Sequence, residues 1–410
     1  MIRPIFNRYF YDKRFGSLTF AELLVMPICI LPALLPFVRR SGPPLLISLA
    51  VLVIIAHVMH GASWRVCFVR LIAAPAVQAC VAFLLWGGIS LSWSPMPERG
   101  FLQLAAIGVV FASGLILMIA EPVCHGAIFH KLFALCLAIG GLIVTLDLLS
   151  GLPLASLVRK TGEAHRYNMI VVSLLILCWG LSARPDVSRL WLLAAWLSVS
   201  IAAFVSDSES AKLALLASGA VWGLSMFASR TTLIFLIGLC IVLCWASAPW
   251  LGAVVDAVVV SNIAIPEAAH AQDRLVIWQG SGIAALALLP WGAGAGSALA
   301  FAEDIMLMSR FDGLGWGHTH NNFLQVWLEL GVPGVLLGCF ASLALWRASS
   351  SMKPWAFERC CGLVAATCVI SLVSHGLWQA WFWAAVVLSL VSLYHTSHYN
   401  EKRGIDEATL

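Results

Sequence analysis

A chain of 410 residues with 61% hydrophobic and only 11% charged side chains cannot cover a water-facing surface. Soluble domains carry roughly 25% charge, so lipid must face much of this one. The net charge of +4 is spread along the sequence, with no dense basic patch of the kind that grips nucleic acid. Of the twelve cysteines, Cys29, Cys80, Cys136, Cys178, Cys240, Cys244, Cys339 and Cys368 fall inside apolar runs, where thiols serve as small hydrophobes. Cys360 and Cys361 are adjacent, a poor geometry for zinc.

Arg3, Arg8, Lys13 and Arg14 precede a first apolar run without a small-residue cleavage site, read as a retained span. Apolar stretches able to cross about 30 Å of hydrocarbon lie near 20–38, 43–60, 72–93, 101–120, 130–150 and 167–182. Six more lie near 188–205, 211–228, 232–249, 323–346, 359–375 and 379–394. An even number puts both termini on one side. With that side cytoplasmic, the inner segments hold 15 of the 24 Lys and Arg residues, the sign the positive-inside rule requires. The predicted fold is all-α and polytopic, with about 12 transmembrane helices. It divides into nine N-terminal spans (1–249), a large outer loop (250–322), three C-terminal spans (323–394) and a polar, frayed cytoplasmic tail (395–410). Leu275 to Leu289, inside the loop, is too short to span and reads as a helix along the interface or dipping into a cavity.

The loop ends in Gly315-Trp316-Gly317-His318-Thr319-His320-Asn321-Asn322 and runs straight into the tenth span. On a helix Asn321, Gln325 and Glu329 form one polar stripe, costly in a span unless it faces water or partner groups. His320, at the stripe's outer end, can accept a proton near neutral pH as a general base must. Helix capping at the interface would explain an isolated histidine equally well, but not this clustering of polar groups. Arg274 and Arg310 are the loop's fixed cations. A guanidinium fork suits phosphate oxygens, although an arginine at a membrane edge also snorkels to headgroups. Gly292, Gly294 and Gly296 would let backbone approach a ligand closely. Asp207 and Glu209, at an outer hinge, could bind a divalent cation or form a solvated turn. His165, Arg166 and Asn168 stand at another outer corner. Asp147 is an ionisable residue inside a span, and such residues are functional candidates.

From His320-Asn321, through nine residues, to Gly331-Val332-Pro333-Gly334, the chain resembles the bacterial O-antigen ligase and polysaccharide polymerase superfamily. Leu91-Ser92-Trp93-Ser94-Pro95 with Glu98-Arg99, then Arg274 to Trp278 with Pro290 and the glycines, and finally Leu377-Trp378-Gln379 with Trp381, resemble further elements of it. The resemblance implies a GT-C-like, multi-pass enzyme of the bacterial inner membrane, working at the periplasmic face with inversion and no required metal or other cofactor. Its donor would be a glycan on polyprenyl (undecaprenyl) pyrophosphate. The acceptor would be a sugar hydroxyl of lipid A core, or another glycan in a polymerase.

His320 is then the base and Arg274 the donor-pyrophosphate contact, with Asn321, His318, Gln325 and Glu329 in substrate binding. The family often has Ser-Arg or Ser-Lys where this chain reads Ser208-Glu209-Ser210-Ala211-Lys212, so Lys212 or Arg166 would supply the second cation. A transporter or flippase would also suit twelve spans, but transporters gather charged and broken-helix positions near the midplane. Here the polar groups gather at the outer surface.

Overall fold

The structure is a computed structural model that describes residues 14–15, 18–19, 29–60, 65–119, 127–154, 156, 167–182, 184, 187–255, 257, 269–301 and 318–408. Apart from a two-residue antiparallel pairing of Arg14–Phe15 with Leu18–Thr19, its regular elements are helices. In chain order the main ones are α1 (Gly42–His60), α2 (Arg65–Ile72), α3 (Pro75–Ser90), α4 (Pro97–Ile119) and α5 (Ala127–Leu149). Next come α6 (Tyr167–Ser182), α7 (Arg189–Val205), α8 (Glu209–Ser225), α9 (Arg230–Ser247) and α10 (Leu251–Val255). The last four are α11 (Ala269–Ala287), α12 (Asn322–Ala348), α13 (Pro354–Val373) and α14 (Ala380–Ala408).

Among the described residues, six helical runs are long and apolar enough to cross a membrane: Pro75–Trp93, Pro97–Ile119, Phe129–Leu149, Arg230–Val255, Asn322–Ser351 and Pro354–Val373. Four shorter apolar helices accompany them. The chain is an all-α, multi-pass membrane protein. Of its first expected span, near 20–38, residues 20–28 lie outside the described residues. The helix expected within Leu275 to Leu289 begins earlier, as α11 (Ala269–Ala287), and packs on α10 and α12. Helix α14 runs on into the polar tail as far as Ala408, with no helix breaker in residues 395–403.

The bundle is built around α6. Every residue from Ile170 to Leu181 is buried, the all-round apolar burial expected of a central membrane helix. Small residues bring its neighbours close, as membrane helices prefer. Ser389 of α14 lies where a side chain on Gly180 would have to stand, and donates to the Ile176 carbonyl at 2.9 Å. Ser198 of α7 donates to the Ala138 carbonyl of α5 at 2.6 Å, against Gly141. On the outside, Phe227, Leu102 and Phe235 remain 88%, 68% and 67% exposed, the surface that lipid covers.

One end of the bundle is tied together by a glycine-rich segment following α11. Gly292, Gly294 and Gly296 all have positive φ (73°, 90° and 81°). The sequence suggested a cradle for a ligand, but these glycines press against the protein itself. A Cβ on Gly294 would lie 2.6 Å from Ser94 Cα, and one on Gly296 would lie 2.6 Å from the Gly100 nitrogen. The Ala293 and Gly294 amides donate to the Leu328 and Glu329 carbonyls at 2.8 Å, and Ser94 donates to the Ala295 carbonyl at 2.8 Å. The loop thus clasps the α3–α4 corner to α12. Gly294→Ala combines a disfavoured φ with a backbone clash, so it should cost roughly 2–5 kcal/mol. Thermal unfolding in detergent checks this, and an unchanged midpoint would show that the clasp carries no weight.

Candidate active site at one end of the bundle

Helix α12 begins with Asn321 as its N-cap, the side-chain oxygen accepting from the Leu324 amide at 3.0 Å. Just before this cap the backbone reverses sharply at His320, with φ 54°. Few non-glycine residues accept that region, histidine more readily than most. Such strain concentrates at functional positions. The reversal turns the His320 ring toward the α13–α14 corner, where Nδ1 lies 2.7 Å from the Ser374 carbonyl. A carbonyl can only accept, so Nδ1 carries the proton and the lone pair sits on Nε2. His318 lies beside it, the rings tilted with centroids 4.1 Å apart, its Nδ1 accepting from the His320 amide at 3.2 Å.

The spacing of Arg274 and Trp278 acquires a mechanical meaning. One helical turn apart, they share a face of α11. Trp278 Nε1 donates to the Thr319 carbonyl at 3.1 Å, docking that face on the residue between the two histidines. The half-buried Arg274 guanidinium acts on His320 and on His375, and Arg99, from the start of α4, acts on His318. All three imidazoles are held neutral. Burial is the main cause in each, pushing His320 down to about 4 and His375 to about 3, with His318 well below its ordinary value. For His320 the Ser374 hydrogen bond opposes this shift and the Arg274 charge adds to it.

Behind the histidines lies a buried polar core. Glu329 receives four donors: the Gly296 and Ala298 amides at 2.8 and 3.2 Å, Gln325 Nε2 at 2.9 Å and Trp378 Nε1 at 2.6 Å. Gln325 Oε1 accepts from the Leu377 amide at 2.9 Å. Gln325 and Glu329, read from the sequence as substrate contacts, therefore have their hydrogen-bonding atoms engaged by the protein. They join the glycine clasp to the α13–α14 corner. Nine residues separate Asn321 from Gly331 because α12 needs that length to reach its kink. There Gly331 (φ 60°, ψ −159°) breaks the helix against Pro290 and Trp291.

The remaining candidates fall as follows. Lys212, expected as a second cation, pairs with the exposed Glu209 at 2.8 Å. The serines of that hinge instead reach the site: Ser210 donates to Ser374 Oγ at 2.9 Å and lies 3.3 Å from Ser208 Oγ. Asp147 accepts from the Tyr167 hydroxyl and, at 2.6 Å, from the Leu154 amide, closing the α5–α6 corner. Arg166, His165 and Arg310 lie outside the described residues. Among the described residues no three His, Cys, Asp or Glu side chains gather closely enough to hold a metal ion.

Residues 192–339 match the family model described as O-antigen ligase. Over this stretch the chain is similar to the O-antigen ligase family. A Rickettsia conorii protein named "Putative polysaccharide ligase" is 26% identical over 142 residues, 31% of this chain and 32% of that protein. The match thus spans about a third of the relative's length. The matched stretch contains His318, His320, Asn321, Arg274, Lys212, Gln325 and Glu329. Arg99 and His375 lie beyond its two ends and join the site only through folding. The sequence reading did not select them as site residues. A usable signal was present for His375, an imidazole between Ser374 and Gly376 at the very end of an apolar run.

Proposed function

We propose that this chain is an O-antigen ligase-type glycosyltransferase. It takes a glycan from a polyprenyl (undecaprenyl) pyrophosphate carrier and joins it to a sugar hydroxyl of lipid A core, at the periplasmic face of a bacterial inner membrane. The observation that carries the proposal is His320, neutral, with its proton fixed on Nδ1 by the Ser374 carbonyl and the Arg274 charge beside it. Breaking the anomeric C–O bond puts positive charge on the sugar and negative charge on the departing pyrophosphate. Arg274, with Arg99 acting near His318, stabilises that leaving group from a poorly solvated wall. His320 Nε2 takes the acceptor's proton as its oxygen attacks the opposite face, which inverts the anomeric carbon.

An imidazole at about 4 is a feeble base in the free protein. The donor corrects this: its pyrophosphate charges offset the Arg274 field and raise the affinity of His320 for a proton as the reaction begins. The family description and the relative's name both say ligase, which favours ligation over polymerisation. The gathering of polar groups at one end, away from mid-span, favours an enzyme over a transporter.

The purified protein in detergent, given undecaprenyl-pyrophosphate-linked glycan and rough lipopolysaccharide, should make glycan-capped lipopolysaccharide at a rate indifferent to EDTA. Lengthening of the glycan on its lipid carrier would make it a polymerase. No product of either kind would sink the reading.

A further inference from the structure

His375 occupies the turn between α13 and α14 and is 9% exposed. Its Nε2 has no hydrogen-bond partner among the described residues. The ring stands edge-on to Trp381, centroids 4.6 Å apart at 82°, and Trp381 is itself held by Gln379 at 2.9 Å. Both chain neighbours belong to the wall of the site. The Ser374 carbonyl orients His320, and a Cβ on Gly376 would lie 2.7 Å from His318 Cβ. Backbone on either side and an aromatic edge therefore fix the ring, with no bond to its Nε2.

A buried polar atom without a partner is unfavourable, and such atoms call for a specific explanation. A phenylalanine would fill this volume with no orphaned nitrogen. Burial, His320 and Arg274 also keep the ring neutral. A neutral imidazole offers one donor and one acceptor, the complement of a hydroxyl, whereas a pyrophosphate calls for the arginines.

We propose that His375 Nε2 hydrogen-bonds a hydroxyl of the acceptor sugar, beside the hydroxyl that His320 deprotonates, and so selects which oxygen reaches the base. This rests on the glycosyltransferase reading. No bond is made or broken at His375; it holds the acceptor.

The test uses the full-length protein with undecaprenyl-pyrophosphate-linked glycan as donor and rough lipopolysaccharide as acceptor, each varied in turn. His375→Ala and His375→Phe should both raise the acceptor KM roughly 10–100-fold, the loss of a hydrogen bond to a buried group, and leave the donor KM unchanged. His375→Gln, which keeps a donor and an acceptor, should recover most of the affinity. A packing role gives the reverse order, with phenylalanine tolerated and glutamine not, and that order would overturn the proposal. A rise in donor KM instead would also overturn it. Wild-type protein that makes no product would sink the glycosyltransferase reading first. Normal wild-type product with unchanged acceptor KM in both variants would sink only this one.

Discussion

Transfer by a His320→Ala protein is expected to fall by roughly 10²–10⁴-fold, the usual worth of a general base, with donor binding kept. Alanine tolerates a φ of 54° less well than histidine, so His320→Asn is the cleaner probe. Asparagine accepts the left-handed backbone and can donate its amide to the Ser374 carbonyl, yet it has no basic nitrogen. Equal loss in both variants, with an unchanged melting temperature, would place the defect in proton transfer. Full activity in either would end the assignment.

The acid limb of the pH profile carries a second signature of the same residue. The base works only when neutral, so activity drops as pH falls through the folded pKa, about 4 rather than the ordinary 6.5. The limb for kcat/KM should therefore lie well below pH 6. Because Arg274 is one cause of the depression, Arg274→Ala should move the limb upward while slowing the reaction. Bound pyrophosphate should likewise lift the kcat limb above that for kcat/KM.

The helices were legible in the sequence because a membrane enforces a single rule, an apolar run of sufficient length. Expected stretches such as 167–182 and 188–205 coincide with α6 and α7 within a residue. The His320–Asn321 motif was legible too, since a polar cluster at a helix mouth is costly without a reason. Partnerships across the fold were not legible. Gly292, Gly294 and Gly296 can approach a ligand or another strand of backbone equally well, and only the packing of Ser94, Gly100 and Glu329 decides. Nor was the pairing of Lys212 with Glu209, three residues back on the same helix face, marked in the sequence. Arg99 and His375 sit about 275 residues apart in the chain and meet the same imidazole cluster because the α3–α4 and α13–α14 corners close on one end of the bundle.

Glu329→Ala should unfold this end of the protein rather than merely weaken a substrate. The carboxylate is fully buried and meets four donors from three different segments. Removing it orphans two backbone amides, an indole and an amide side chain, at roughly 1–3 kcal/mol each. Several of these cannot move to other partners, because the Gly296 and Ala298 amides are fixed by the clasp and Trp378 by the adjoining turn. A large fall in melting temperature and a poor yield in detergent are expected. Glu329→Gln should land between, since its oxygen still accepts while its NH₂ is aimed at N–H groups. A residue that contacts only substrate would behave differently: the alanine protein would melt like wild type and lose affinity alone. Measuring both quantities on one preparation decides between the two roles, and a wild-type melting temperature with weakened donor binding would return Glu329 to the substrate.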